Sequence, residues 1–383
     1  MKQRFERTLF LLLIFWLSFP IVSSAEEPIF LGLSAPLNGQ YSEYGYAIQR
    51  GVDLALEGIN EAGGIEGRPI EVIVGDSRGL PKMAQHVARS LASNQRIVAV
   101  IGNVTDSCAL AAQPIYRRAG IVQLSPAASH PSFAPGSPYS FSLAGTVEQE
   151  SEFMARMAVE QLGKKRVAVL YATNDWGMRA KQSFIEEAKE LGADIVAVEG
   201  FSEYGGAKAY LDGSDFFRPI LAKVRTATPD LLYLISRYRN GLMILQQRQA
   251  MAWSETDVMG PLPWYFPQVL EDAGATAENL YTCGLFLPTA LSAERKQFVK
   301  DYEELYFLPP DQYAALAYDA TNILAKIIRE SGDDRQAICD ALTKLKDFPG
   351  VTGRISFTQE GEVERDYVLI TVKQRKFHLY SLE

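Results

Sequence analysis

The chain predicts an α/β fold: parallel sheets covered by helices on both faces, repeated in two units. Three observations predict it. Stretches with 3.6-residue apolar spacing alternate with short β-branched runs from residue 44 almost to the end. A first set of such elements is complete near residue 162, and a second set of similar size starts at 166. The length, 383 residues, exceeds what one hydrophobic core usually supports.

The clearest passage runs from Gly51 to Gly102. Ile48, Val52, Leu54, Ala55, Leu56 and Ile59 line a helix over 44–62 that stops at Gly63-Gly64. The chain turns through Ile65-Glu66-Gly67-Arg68-Pro69 into a strand over 70–75. A helix over 81–93 and an apolar strand over 97–101 follow. In parallel sheets of this kind ligands sit beyond the carboxyl ends of the strands, so the loops there are where function should lie.

The alternation continues with strands over 121–124 and 139–143, separated by a Pro/Ser-rich loop, and a helix over 146–162. The second set comprises strands over 166–171, 194–199, 230–235, 257–259 and 280–286, with helices over 175–191, 216–227 and 238–251 between them. Residues 203–213 break the pattern and read as a surface insertion. Helices over 293–306, 313–329 and 335–345 precede a C-terminal β region. There 353–357, 365–372 and 376–382 alternate like antiparallel strands, with Gln359-Glu360-Gly361 as a turn.

The N-terminus reads as a cleavable secretory signal. Lys2, Arg4 and Arg7 precede an unbroken apolar run over 9–17, Pro20 breaks it, and Ser23-Ser24-Ala25 offers a cut after Ala25. A retained anchor is the rival reading, but the run falls short of the roughly 20 residues a span needs. No Cys stands at the cut, so a lipid anchor is not indicated. Losing residues 1–25 removes three bases and one acid and takes the formal charge from −8 to −10. An acidic chain without a basic cluster argues against nucleic acid as a partner. Cys108, Cys283 and Cys339 allow at most one disulfide, have no metal spacing, and read as buried free thiols.

Little suggests catalysis. His86, His130 and His378 have neither a Ser/Asp pairing nor metal spacing, and His130 reads as a lone surface histidine. A Gly-x-Ser-x-Gly elbow, a P-loop lysine and a dinucleotide-binding glycine motif are all absent. The reading is a non-enzyme without cofactor or metal.

Several runs occur in a telling order: Leu33-Ser34-Ala35-Pro36-Leu37-Asn38-Gly39, then Tyr44-Gly45 and Arg50-Gly51, then Asn60-Glu61-Ala62-Gly63-Gly64-Ile65-Glu66-Gly67-Arg68-Pro69. Leu124-Ser125-Pro126-Ala127-Ala128-Ser129, Trp176-Gly177 and Ala317-Tyr318-Asp319-Ala320 follow. In this order the chain resembles the periplasmic solute-binding proteins of the leucine/isoleucine/valine-binding type, the capture subunits of ABC importers. The resemblance implies the type I arrangement, two Rossmann-like lobes joined by three hinge crossings. One lobe would take 26–144 plus 287–357 and the other 145–286 plus 358–383, with crossings near Ala144, Leu287 and Thr358. It further implies a periplasmic monomer that closes on a small amino-acid or carboxylate ligand by hinge movement and delivers it to a membrane permease. A periplasmic sensor of the same fold is the alternative.

The resemblance also suggests site residues. The family's carboxylate-binding hydroxyl falls on Asp106, where a fixed carboxylate would repel a ligand carboxylate. Asp106 is then either an N-cap or a ligand contact, and Thr105 or Ser107 supplies the hydroxyl if the loop shifts by one. Ala127 would offer a carbonyl and Ser129 a hydroxyl and an N–H. Trp176 falls where the family places an aromatic over the ligand, with a core tryptophan as the rival. Arg237 reads either as a bidentate carboxylate holder or as a solvated loop charge. Tyr44 and Tyr313 are aromatic walls or core residues. The family's ammonium-binding acid after Gly-Pro is replaced: Gly260-Pro261 is followed by Leu262. Either the ligand is an amino acid turned around, its cation on Asp106 and its anion on Arg237, or it lacks an α-ammonium and is embraced by Trp176, Trp264, Tyr44 and Tyr313.

Overall fold

The computed structural model describes residues 27–203, 205, 208, 215–288 and 292–381; the expected signal segment and most of the expected insertion at 203–213 lie outside them. Strand β1 (Ile29–Ala35) precedes the first predicted helix and is buried along its whole length. Helix α1 (Ser42–Glu61), β2 (Ile70–Asp76), α2 (Pro81–Ser93), β3 (Ile97–Gly102), α3 (Asp106–Ala119), β4 (Val122–Ser125) and β5 (Ser140–Ser142) follow. They form a five-stranded sheet of order β2-β1-β3-β4-β5 in which every pairing is parallel.

Period-2 alternation divides this sheet between two apolar layers. Phe30 and Val100 pack with Val87, Leu91 and Tyr116 of α2 and α3. Leu31, Leu33 and Ile101 face the larger core shared with α1 and the later helix spanning Gln312–Ser331. Those two helices touch backbone to backbone: a Cβ on Gly51 would lie 2.1 Å from the Ala314 carbonyl oxygen, so only glycine permits this approach.

The second set opens with α4 (Val147–Arg156), whose N-terminus carries a reciprocal capping box between Thr146 and Gln149. The single helix predicted over 146–162 changes pitch at Met157, and its last turn is a π-helix. Next come β6 (Arg166–Ala172), α5 (Asp175–Glu190), β7 (Asp194–Phe201), α6 (Arg218–Thr226), β8 (Leu231–Ile235), α7 (Tyr238–Ala250) and β9 (Asp257–Met259). Helix α8 (Pro267–Ala273), strand β10 (Tyr281–Gly284), and helices α9 (Ala293–Tyr306), α10 (Gln312–Ser331) and α11 (Arg335–Thr343) follow. Strands β11 (Phe348–Gly350), β12 (Gly353–Ile355), β13 (Val368–Lys373) and β14 (Lys376–Leu379) end the chain.

The seven-stranded second sheet has the order β14-β13-β10-β9-β8-β6-β7. Its β10-β9-β8-β6-β7 part is parallel, and β13 and β14 add antiparallel strands at one edge. The C-terminal expectation is corrected in one respect. The stretch beginning at Gly353 pairs with the unanticipated β11 rather than with β13, while the turn at Gly361 forms as read. Among the described residues no helix is long and apolar enough to cross a membrane. All three cysteines are free and buried.

Candidate functional site

The carboxyl ends of the strands in the two sheets face one another, and a small cavity of about 20 Å³ lies between them. That is room for about one water molecule. From the side of the first sheet it is lined by Asp106, Ala127, Ser129 and Tyr313. From the side of the second it is lined by Glu150, Trp176, Arg237 and Leu262. Six of the eight residues expected at the site therefore meet at one point. Tyr44 stands just beyond, beside Arg237 in an adjoining recess. Thr105 does not line the cavity; its hydroxyl sits 3.4 Å from that of Ser107.

Asp106 is not the N-cap. Thr105 holds that position without a side-chain cap bond, and Asp106 opens the first turn of α3. Its Oδ1 instead accepts the N–H groups of Ser129 at 2.7 Å and His130 at 3.2 Å. The Ser129 N–H that the resemblance offered to a ligand is thus taken by the protein's own carboxylate. Oδ2 is buried with no partner. Burial raises the Asp106 pKa, opposed by the Ser129 N–H and the charge of Arg237.

Arg237 is no solvated loop charge. It ends the turn after β8, and its guanidinium carbon lies 5.2 Å from the Tyr41 ring centroid, 5.3 Å from Trp176 and 5.8 Å from Tyr44. Rings at such distances favour a desolvated cation. Among the described residues no carboxylate comes within ion-pair distance of Arg237. Burial opposes its charge, yet Tyr41 and Glu203 leave its pKa above the ordinary arginine value. The site therefore presents a permanent cation with its hydrogen-bonding fork uncommitted.

The aromatic walls are sorted by their contacts. Trp176 sits in the first turn of α5, 7% exposed, on a helix whose N-cap Asn174 accepts the Gly177 N–H at 2.8 Å. Tyr44 meets Tyr238, Phe266 and Tyr313 edge-on or tilted, and its hydroxyl donates to the Pro263 carbonyl at 3.2 Å. Trp264 is a correction: it is buried against Gly241 and Gly260 and donates to the Ser236 carbonyl at 2.7 Å, so it is core and not cavity wall. His130 is another. It is buried, accepts the Ser132 N–H on Nδ1 and lies 2.7 Å from Asp175 through Nε2.

Glu150 was not foreseen. It lies in the first turn of α4, where an acid ordinarily just complements the helix dipole, and nothing in the local sequence marks it as buried. Its Oε1 accepts the Leu262 N–H at 2.8 Å, and burial pushes its pKa up to about 7. Tyr41, the third ring on Arg237, was also missed.

This architecture has known relatives. The family model described as "periplasmic binding protein" matches residues 28–376. The chain belongs to this family, the type I periplasmic binding proteins of ABC importers. It is similar to the Leu/Ile/Val-binding protein homolog 1 of Brucella suis, 24% identical over 342 residues that cover 88% of each chain. It is also similar to the branched-chain amino acid transporter substrate-binding protein LivJ of Streptococcus pneumoniae, solved in complex with isoleucine. There the identity is 28% and the TM-score 0.84, covering 91% of this chain and 97% of that one. A solute-binding protein from Rhodopseudomonas palustris, solved with 3,4-dihydroxybenzoic acid, shares the fold at 23% identity with a TM-score of 0.80, over 91% of this chain and 93% of that one.

Proposed function

We propose that this protein is an exported, periplasmic solute-binding subunit of an ABC importer. It captures a small amino-acid-like carboxylate between two lobes and delivers it to a membrane permease. The lobes comprise 26–144 plus 287–357 and 145–286 plus 358–383, and they pivot near Ala144, Leu287 and Thr358. The observation that carries the reading is Arg237. A guanidinium enclosed by three rings, without a carboxylate partner among the described residues, faces a cavity lined from both sheets.

An anion completes such a site by a bidentate pair. The relatives that bind leucine, isoleucine and valine by name favour an amino acid. The occupied Ser129 N–H favours the inverted pose, with the ligand carboxylate on Arg237 and its cation toward Asp106 Oδ2. An aromatic carboxylate without an amine is the second reading, favoured by Trp176 and Tyr313 on the same cavity. The present cavity is too small for either ligand, so entry requires the lobes to part.

Isothermal titration of the twenty amino acids and a set of benzoates tests the reading. A micromolar ligand, about −8 kcal/mol, is the expected result, and silence across both classes would overturn it. Co-purification with a permease complex separates transport from sensing.

A further inference from the structure

We propose that Glu150, standing under the main chain of Leu262 and facing the same cavity as Arg237 and Asp106, receives the cationic group of the ligand together with Asp106. The inference rests on the carboxylate reading of Arg237 and names the second pole of that site.

Leu262 stands where an acid would follow Gly260-Pro261, and its side chain can hold no cation. Its backbone N–H, however, is held by a carboxyl from another helix: Glu150 Oε1 accepts it at 2.8 Å. The acid missing from one loop is thus supplied through space by the first turn of α4. Glu150 is 5% exposed, and no described residue donates to its Oε2. On the opposite wall Asp106 Oδ2 is buried without a partner. Two carboxyl oxygens and one guanidinium, all short of partners, converge on one small space. A zwitterion satisfies all three: carboxylate on the fork, ammonium between the acids. A plain carboxylic acid satisfies only Arg237 and leaves both acids unmet.

The groups facing Glu150 are Asp106 across the cavity and Arg237 on its own side, with Tyr233, Cys283, Tyr313 and Tyr367 around it. Burial holds those tyrosines and the thiol well above their ordinary values, so they stay neutral near pH 7. Glu150 changes charge there, since burial lifts it to about 7, and burial raises Asp106 as well. When a ligand ammonium arrives, the proton on Glu150 leaves to solvent and the carboxylate pairs with the cation.

The test is titration at pH 6.5 of each L-amino acid against its desamino acid (leucine against 4-methylpentanoate, for example). Running it in two buffers of different ionisation heat counts released protons. Wild type should prefer at least one amino acid by 100-fold or more and release between about a half and one proton. Glu150→Gln, whose amide oxygen still accepts the Leu262 N–H, should cut the preference below tenfold and abolish the proton release. Cooperative thermal unfolding of the variant confirms that it is folded. Wild type releasing no proton, or E150Q keeping the preference, overturns the proposal whatever the other variants do. Equal binding of the desamino acids overturns it while leaving the Arg237 reading intact. No heat from either class brings down both.

Discussion

Nε2 of His130 lies 2.7 Å from Asp175 Oδ2, tying the loop after β4 to the first turn of α5. The same histidine gives its backbone N–H to Asp106, so this bridge is one residue away from the cavity. Because Nδ1 accepts from the Ser132 N–H, Nε2 carries the proton. Arg179 shares Asp175 at 3.3 Å. A contact of this kind exists only while the two sheets face each other closely. In the hinged reading proposed above it should therefore favour the closed state.

Asp175 is 65% exposed, so the bridge is worth roughly 0.5–1 kcal/mol. Asp175→Ala should weaken ligand binding about two- to fivefold and enlarge the unliganded particle in X-ray scattering. Equal affinity and an unchanged radius of gyration would show that the bridge plays no part in closure.

Arg237→Met should abolish ligand binding, by at least about 100-fold, because a charge-assisted bidentate pair is lost from an enclosed site. Its unfolding midpoint should fall, since the rings and the Glu203 charge leave the folded protein favouring the charged guanidinium. Arg237→Lys keeps the charge but not the fork and should still lose about tenfold. Titration and urea unfolding on the same samples read both effects, and a Met variant with a raised midpoint would refute the second.

Glu150 bears on stability as well as on binding. Its folded pKa, about 7, stands above the ordinary 4.5. The ionised form is therefore the one the fold disfavours. The penalty is absent below about pH 4.5, grows as pH rises toward 7, and is complete above it. Without ligand, Glu150→Gln should match wild type near pH 4 and be more stable at pH 8, by up to about 3 kcal/mol. Urea unfolding at the two pH values checks this. A variant less stable at pH 8 would contradict it.

Asp319 of α10 accepts the Val351 N–H at 2.8 Å, the Thr352 N–H at 2.9 Å and the Thr352 hydroxyl at 2.6 Å. It fastens the connection between β11 and β12 to the helix. Asp319→Ala strands three buried donors and should cost about 3 kcal/mol, while ligand affinity measured below the unfolding transition stays near wild type. A loss under 1 kcal/mol would mean that solvent reaches those donors.

The alternation of Val/Ile-rich runs with amphipathic helices made both sheets legible, because a parallel strand buried on two faces leaves a continuous apolar run in sequence. Short pairings were harder. Strand β11 spans only three residues, Phe348–Gly350, including a proline, and carries no alternation to detect. Within the site, Arg237 and Trp176 were legible as chemistry but not as burial, since a loop arginine looks the same in sequence whether rings or water surround it. Glu150 was illegible for the opposite reason: its place in a first helical turn already had an adequate explanation. His130 was misread because its partner, Asp175, lies on the other sheet's side of the cleft. Such contacts are set by tertiary approach and leave no local trace.

The Asp106 carboxylate is a tethered competitor for its own binding seat. Held by the backbone next to the Ser129 and His130 amides, it has an effective concentration there that no dissolved anion matches. Chloride, phosphate or free acids at ordinary concentrations therefore should not reach the mouth of α3. Asp106→Ser would unplug that seat, and acetate-like anions would then inhibit binding in a concentration-dependent way that the parent protein does not show.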